Sequence, residues 1–327
     1  MQAITPFVRL LLVLCIGLGG SAAHAQADSP PIRFIVPIAP GSSGDTLTRL
    51  FAERFRAVTG TPTFVENRPG ADLVLGTQNL LASPADGQSV LLVSNSTLLI
   101  NPLFLKDLPY RSDELLPLAG LSRNPAVLVT APNGRFKSLP ELLEAARKEP
   151  GSVSIGVYGN TYRLGLLDLT RRAGVRVNPI PYKGATQAVT DVIGGSVDAA
   201  LLDIGGATPL VTTGKVRALA LAADKRQASL PDVPTVIEGG VPDYTLYVFI
   251  GLAIHAKTPP AIADRLEAQM QQVLALPDVR EQFVRQSGGE FTGTDRNAFG
   301  AAIRAEGQRL DALVKSAGAE ALNVRQP

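Results

Sequence analysis

Ile35-Val36-Pro37-Ile38-Ala39-Pro40-Gly41-Ser42-Ser43-Gly44-Asp45 is the stretch on which the reading of this chain turns. Residues 32–37 have the length and apolar character of a strand, and the Pro-Gly-Ser-Ser-Gly tract after them is a tight loop. Beyond it Leu47, Leu50, Phe51, Phe55 and Val58 recur at helical spacing, and Gly60 ends the run. Glycines let the backbone turn sharply and let a ligand approach the amides. The N–H groups of a first helical turn lack partners and favour an anion. Ser42 and Ser43 add hydroxyl donors, so the loop from Ala39 to Asp45 suits a carboxylate. An ordinary strand-to-helix turn capped by Ser or Asp45 is the competing reading. Asp45 is itself an anion, so it is expected to cap or stiffen the loop rather than touch the ligand.

The same alternation extends in both directions. Strands are expected at residues 63–66, 89–94, 126–130, 153–157, 177–180, 197–202, 216–221 and 247–253, with helical periodicity between them. Ser138-Leu139-Pro140-Glu141 fits a capping box, Thr258-Pro259 opens another helix, and Thr294 a third that runs over about residues 295–316. This is the pattern of an α/β fold. Ser122-Arg123-Asn124-Pro125 and Ala222-Ala223-Asp224 are the two places where the chain enters and leaves a self-contained block. One lobe is therefore expected from residues 26–123 with 224–327, and a second from the inserted residues 124–223. Two crossings make a natural hinge.

The inserted block carries its own strand-to-helix connection, Val157-Tyr158-Gly159-Asn160-Thr161-Tyr162-Arg163, with a helix expected from near Leu164. Pro181-Tyr182-Lys183-Gly184-Ala185 leads into another helix. Ligands in open α/β sheets bind outside the carboxyl ends of strands, so such loops would face the first one across a cleft. Gly159, Asn160, Thr161, Arg163 and Lys183 are the candidate contacts there, with Asp203 at the end of the 197–202 strand. An arginine at a helix start gains nothing from the positive end of the dipole. Its fork can hold a carboxylate by two parallel bonds. Arg163 therefore points to a ligand with a second anionic group, the alternative being a side chain directed at solvent.

The N-terminus reads as an export segment. Arg9 precedes a short apolar run, Leu10 to Leu18, and Ala23-His24-Ala25 supplies a small-x-small cleavage pattern, placing the cut after Ala25. Cleavage removes Cys15 and leaves His255 as the single histidine. The roughly 300 residues that remain are enough for two folding units. The formal charge is +2 with no Lys/Arg run, and Trp is absent, which argues against nucleic acid and stacking-based binding. No G-x-S-x-G, S-x-x-K, H-E-x-x-H, Walker A or G-x-G-x-x-G motif occurs. Without a mature cysteine and with one histidine, neither a thiolate nucleophile nor a His/Cys metal site is expected, and no cofactor.

In order along the chain stand Pro37-x-x-x-Gly41-x-x-x-Asp45, Val65-Glu66-Asn67-Arg68-Pro69-Gly70-Ala71, Asp86-Gly87, Asn101-Pro102, Leu108-Pro109-Tyr110, Pro181-Tyr182-Lys183-Gly184, Gly214-Lys215-Val216-Arg217-Ala218-Leu219-Ala220, and Leu230-Pro231-Asp232-Val233-Pro234-Thr235 with Glu238 and Gly240. Together they resemble the Bug family of extracytoplasmic receptors over the whole chain. The resemblance implies a two-lobed type II periplasmic binding protein fold and a periplasmic location. It also implies capture of a small carboxylate (a di- or tricarboxylate, an acidic amino acid or an aromatic acid) by the first loop and the inserted-lobe loop. The partners implied are the membrane permease subunits of a tripartite tricarboxylate transporter, served by a soluble monomer that is not an enzyme. A periplasmic sensor handing occupancy to a membrane signalling protein, and an enzyme on the same scaffold, remain open. Three departures from the family pattern stand out: Ser42 for a usual glycine, Asp72-Leu73 for Gly-Gly, and Tyr162-Arg163 where small residues and a histidine are usual.

Overall fold

The computed structural model describes residues 30–182 and 184–317, and the described residues from Pro31 onward group as one compact unit. The expected export segment lies outside the described residues, as does Lys183. Strand β1 (Ile32–Val36) runs parallel between β2 (Thr63–Asn67) and β3 (Ser89–Ser94). A parallel strand covered on both faces reads as an unbroken apolar run, and four of its five residues are buried. Helix α1 (Ser43–Thr59) follows, capped by the Ser42 hydroxyl accepting from the Asp45 N–H and closed by Gly60 in the left-handed conformation at φ 71°. Its Phe51 and Phe55 rings pack edge-on against Phe34, with centroids 5.9 and 6.1 Å away. Each such ring contributes about 2–3 kcal/mol by burial. Val58 does not join this face; it is exposed at the helix end.

The longest element is β4 (Leu115–Thr130), sixteen residues where the sequence promised only 126–130. Pro117, Gly120 and Pro125 read as breakers, but register shifts between Pro117 and Ala119 and between Gly120 and Ser122 let the strand pass the first two, and Pro125 pairs in regular register with Tyr247. Its first part pairs antiparallel with β9 (Tyr247–His255) and β10 (Glu290–Thr294), a strand the sequence reading missed. Its last part pairs with β7 (Ala199–Asp203) and β8 (Arg217–Leu221). Strands β5 (Ser154–Tyr158) and β6 (Asn178–Tyr182) complete the order β2-β1-β3-β9-β4-β7-β5-β6.

Helices cover both faces of each half of this sheet. In the first half α1, α8 (Pro260–Leu274) and α9 (Pro277–Ser287) bury Phe34, Leu47, Met270 and Phe283 together. Phe299 of α10 (Arg296–Ala317) packs on the other face with Ile35 and Leu91. In the second half α4 (Leu139–Lys148) and α5 (Gly159–Ala173) cover one face, and α6 (Ala185–Ile193) with α7 (Ile204–Thr212) the other. Between them in the chain lie α2 (Val74–Leu81) and the short α3 (Asn101–Phe104), the latter preceded by a π-helical turn over Ser96–Ile100. Val236, Val241, Tyr244 and Leu246 pack with Leu128 and Leu142 of the second half.

Candidate functional site

Three loops leave the carboxyl ends of β1, β2 and β3 on the first half, and three leave β5, β6 and β7 on the second. The first loop is a closed network of its own. The Gly41 N–H donates to Asp45 Oδ2 at 2.9 Å, and Ser42 Oγ donates to the Ala39 carbonyl at 2.9 Å. Gly41 stands at φ 81°, the left-handed region that glycine occupies without strain. Asn67 Nδ2 reaches Asp45 Oδ1 at 2.8 Å and the Ile38 carbonyl at 3.1 Å, while Arg49 Nε donates to Asp45 Oδ2 at 3.1 Å. Burial acts to raise the Asp45 carboxyl, but the donors from Arg49, Gly41 and Asn67 outweigh it and hold the group below its ordinary value. Asp45 is thus enclosed by its own loop.

What the loop leaves open is narrower than its sequence suggested. Gly41 and Ser42 are engaged internally. The helix start provides no intrahelical acceptor for the Ser43 and Gly44 amides. The Ser43 hydroxyl is buried without a hydrogen-bond partner.

Beside it, Gly70, Ala71, Asp72 and Leu73 all have positive φ, at 134°, 46°, 49° and 76°. Three consecutive non-glycine residues in this region each carry strain of about 1 kcal/mol or more. This explains physically why the resemblance places glycines at 72 and 73. The turn is pinned by Asn101 Nδ2 donating to the Asp72 carbonyl at 2.6 Å. The Gly76 Cα lies against Pro37, so the turn and the first loop are neighbours.

On the second half the expected loop is not a loop. Helix α5 begins at Gly159 rather than near Leu164, so Asn160, Thr161 and Arg163 belong to its first turns. Gly, Asn and Thr favour turns locally, but burial of Asn160, Thr161 and Tyr162 decides the conformation. The two halves meet here. Ser96 and Thr161 share a hydrogen bond of 2.7 Å between hydroxyls, and Asn160 Nδ2 stands 3.5 Å from Asp72 Oδ2. The Arg163 guanidinium acts on the same carboxylate: burial raises the Asp72 carboxyl, and Arg163 pulls against that rise. Asp203 caps α7 by accepting from the Gly206 N–H at 2.8 Å and faces the Tyr158 hydroxyl at 3.4 Å. Burial raises its carboxyl against those donors.

Sequence reasoning missed Asn67, Ser96 and Asn101. Only Asn67 and Asn101 lay in motifs that could have drawn notice. It also missed the clamp at the crossing. Arg123 lies over the Tyr247 ring, 3.4 Å from its centroid, and pairs with Glu290 at 3.4 Å and Asp224 at 3.7 Å. The Tyr247 hydroxyl donates to Asp224 Oδ1 at 2.7 Å. Elsewhere, an open groove of about 540 Å³ is lined by Asp168, Arg171, Arg172, Arg309, Ala312 and Leu313. Arg172 and Arg309 there pair with Asp168 at 2.9 and 3.5 Å, and the groove lies away from the strand ends. Among the described residues no group of three His, Cys, Asp or Glu could hold a metal ion, and no helix is long and apolar enough to cross a membrane.

A two-part α/β sheet with loops gathered at its strand ends fits a class, the type II periplasmic binding protein fold, and solved structures agree. Periplasmic binding protein BugD matches with a TM-score of 0.78 at 28% identity, covering 88% of this chain and 97% of that one. An R. palustris protein solved with adipate matches with a TM-score of 0.82 at 25% identity, over 88% and 97%. Protein BugT of Bordetella pertussis is 32% identical over 95% of this chain and 98% of its own. Residues 47–319 match the tripartite tricarboxylate transporter family receptor. The chain belongs to that receptor family.

Proposed function

We propose that this chain is a receptor that captures a small carboxylate between the two halves of its sheet and passes it, as a monomer, to the membrane subunits of a tripartite tricarboxylate transporter without chemical change. The observation that carries this reading is the buried, unpartnered Ser43 hydroxyl at the start of α1, where first-turn amides have no acceptor within the helix. A hydroxyl donor at a helix start, where the amides and the dipole favour an anion, fits a carboxylate. A relative that holds adipate supports the ligand class. The lobes are residues 26–123 with 224–327 and residues 124–223, and the packing of Tyr244 and Leu246 favours extending the inserted lobe to the start of β9. The Arg123–Tyr247–Asp224 clamp is the hinge.

A thermal-shift screen of small carboxylates tests the function. A ligand at about 100 times its Kd adds about 2.7 kcal/mol, which raises Tm by several degrees. The ligand that scores should also shrink the radius of gyration in solution scattering and be recovered intact. If no carboxylate shifts Tm, or the ligand returns altered, the receptor reading fails.

Export follows from the same reading. Mature protein collected from the periplasm should begin at Gln26; a cytoplasmic chain that keeps Met1 would contradict it.

A further inference from the structure

Helix α10 belongs to the first half by its start and touches the second half further along. Phe299, Ile303, Glu306, Leu310 and Leu313 recur at alternating steps of four and three residues, which places them in one stripe along the helix. Phe299 and Ile303 pack with Ile35 and Leu91 in the first half. Leu310 and Leu313 are buried in a different cluster, with Ile100 after β3 and with Leu164 of α5 on the second half. Between the two clusters Glu306 pairs with Arg309 at 2.7 Å, and Arg309 reaches across to Asp168 of α5 at 3.5 Å. Asp168 is also held by Arg172 of its own helix at 2.9 Å. A cavity of about 10 Å³ at this junction is lined from both halves by Asn95, Thr161, Leu164, Arg309 and Leu310. It admits one water at most, so the two helices are packed together and not merely adjacent. The chain itself passes between the halves along β4 and again at the start of β9, so this contact is a separate, non-covalent connection.

We propose that the later turns of α10 are a strap that favours the closed arrangement of the two halves without any ligand, with Leu310 as its apolar anchor and Arg309 as its ionic one. When the halves swing apart about the crossings, α10 stays with the first through Phe299 and α5 moves with the second. Leu310 and Leu164 then lose each other and face water, which opposes opening. Asp168 loses Arg309 but keeps Arg172, so no buried carboxylate is stranded and the strap can release. The closed arrangement thus gains apolar burial and one ion pair from contacts within the chain. Such contacts set how much of the protein is closed before a ligand arrives, and a ligand shifts that population further. The strap concerns the motion of the halves and does not depend on which ligand, if any, is captured.

Distances between two spin labels in ligand-free protein test this. Leu75 on α2 and Gln187 on α6 are exposed, one on each half. Cys15 is the single native cysteine, so with Cys15→Ser only Leu75→Cys and Gln187→Cys take the label. The labelled parent should show a closed population beside an open one. Leu310→Ala should lower the closed-to-open ratio about tenfold or more, because only the closed form bears the cost of the lost side chain. Arg309→Gln should lower it by about two- to fivefold, the range of a partly exposed ion pair. Arg172→Ala takes from Asp168 the partner on its own helix and leaves the pair across the junction, so it should leave the ratio unchanged. If Leu310→Ala does not fold, Arg309→Gln set against Arg172→Ala carries the test. A parent with no closed population overturns the proposal. So does a ratio unmoved by Leu310→Ala and Arg309→Gln, or one moved equally by Arg172→Ala, since the contact would then serve stability alone. One fixed separation in every variant overturns the strap and the hinge together. No ligand is used, so a carboxylate screen without a hit leaves the result as it stands.

Discussion

Ser43→Ala stabilises the unliganded chain and weakens its hold on a carboxylate. The two effects have opposite signs because one hydroxyl lies behind both. In the free protein the Ser43 oxygen is buried with no partner. Such a group costs about 1–3 kcal/mol, and deleting it recovers part of that. In the proposed complex the hydroxyl would donate to an ionised oxygen, a bond worth about 1.5–3 kcal/mol, so affinity should fall by about 10- to 150-fold. Chemical denaturation of the free protein and calorimetry with a ligand found by the screen measure the two sides. A loss of stability together with unchanged affinity would mean that the hydroxyl serves the fold and not the ligand.

Asp45→Ala should be the most damaging single change near the site. The carboxylate is 3% exposed and accepts from Gly41, Asn67 and Arg49 at once. Its removal leaves the Asn67 amide and the Gly41 N–H without their acceptor, while Arg49 is exposed enough to turn to water. The expected cost is about 2–4 kcal/mol, or about 5–10 °C in Tm, below the full penalty of breaking a wholly buried pair. The pH dependence has a definite sign. Because the folded carboxyl lies below its ordinary value of 3.8, its stabilisation is complete above that value and is lost as the pH falls through the folded one. Wild type should therefore lose more stability than Asp45→Ala on acidification below about pH 4. Parallel melting curves would contradict the assigned role, and so would a variant as stable as the parent at neutral pH.

The first loop was legible in the sequence because its chemistry is local. Ser42, Ser43 and Asp45 lie within one turn of the glycine that bends the chain, and capping rules read such a stretch directly. The start of α5 was not legible, since Gly159-Asn160-Thr161 favours a turn by itself and becomes helical through burial against the opposite half. Strand β4 was hidden for a related reason: Pro117, Gly120 and Pro125 are breakers in isolation, and only pairing with β9 carries the strand past them, through bulges at the first two and in regular register at Pro125. Asp72 and Arg163 could each be seen as unusual, but nothing in a linear chain says that Asp72 stands 3.5 Å from Asn160 at the start of α5.

The position of β9 governs the order in which the protein can be assembled. It sits between β3 and β4, yet it follows the whole second half in the chain. A growing polypeptide that has delivered only residues up to Thr130 holds the rim of its first half without the middle strand. Helices α8, α9 and α10, which cover that half, come later still. The first half therefore cannot close its core ahead of the second. It must wait with two strand edges unpaired, a state prone to sticking to other chains. A chain that cannot fold until it is nearly complete stays threadable for as long as it is being made, which suits a polypeptide bound for passage through a narrow channel.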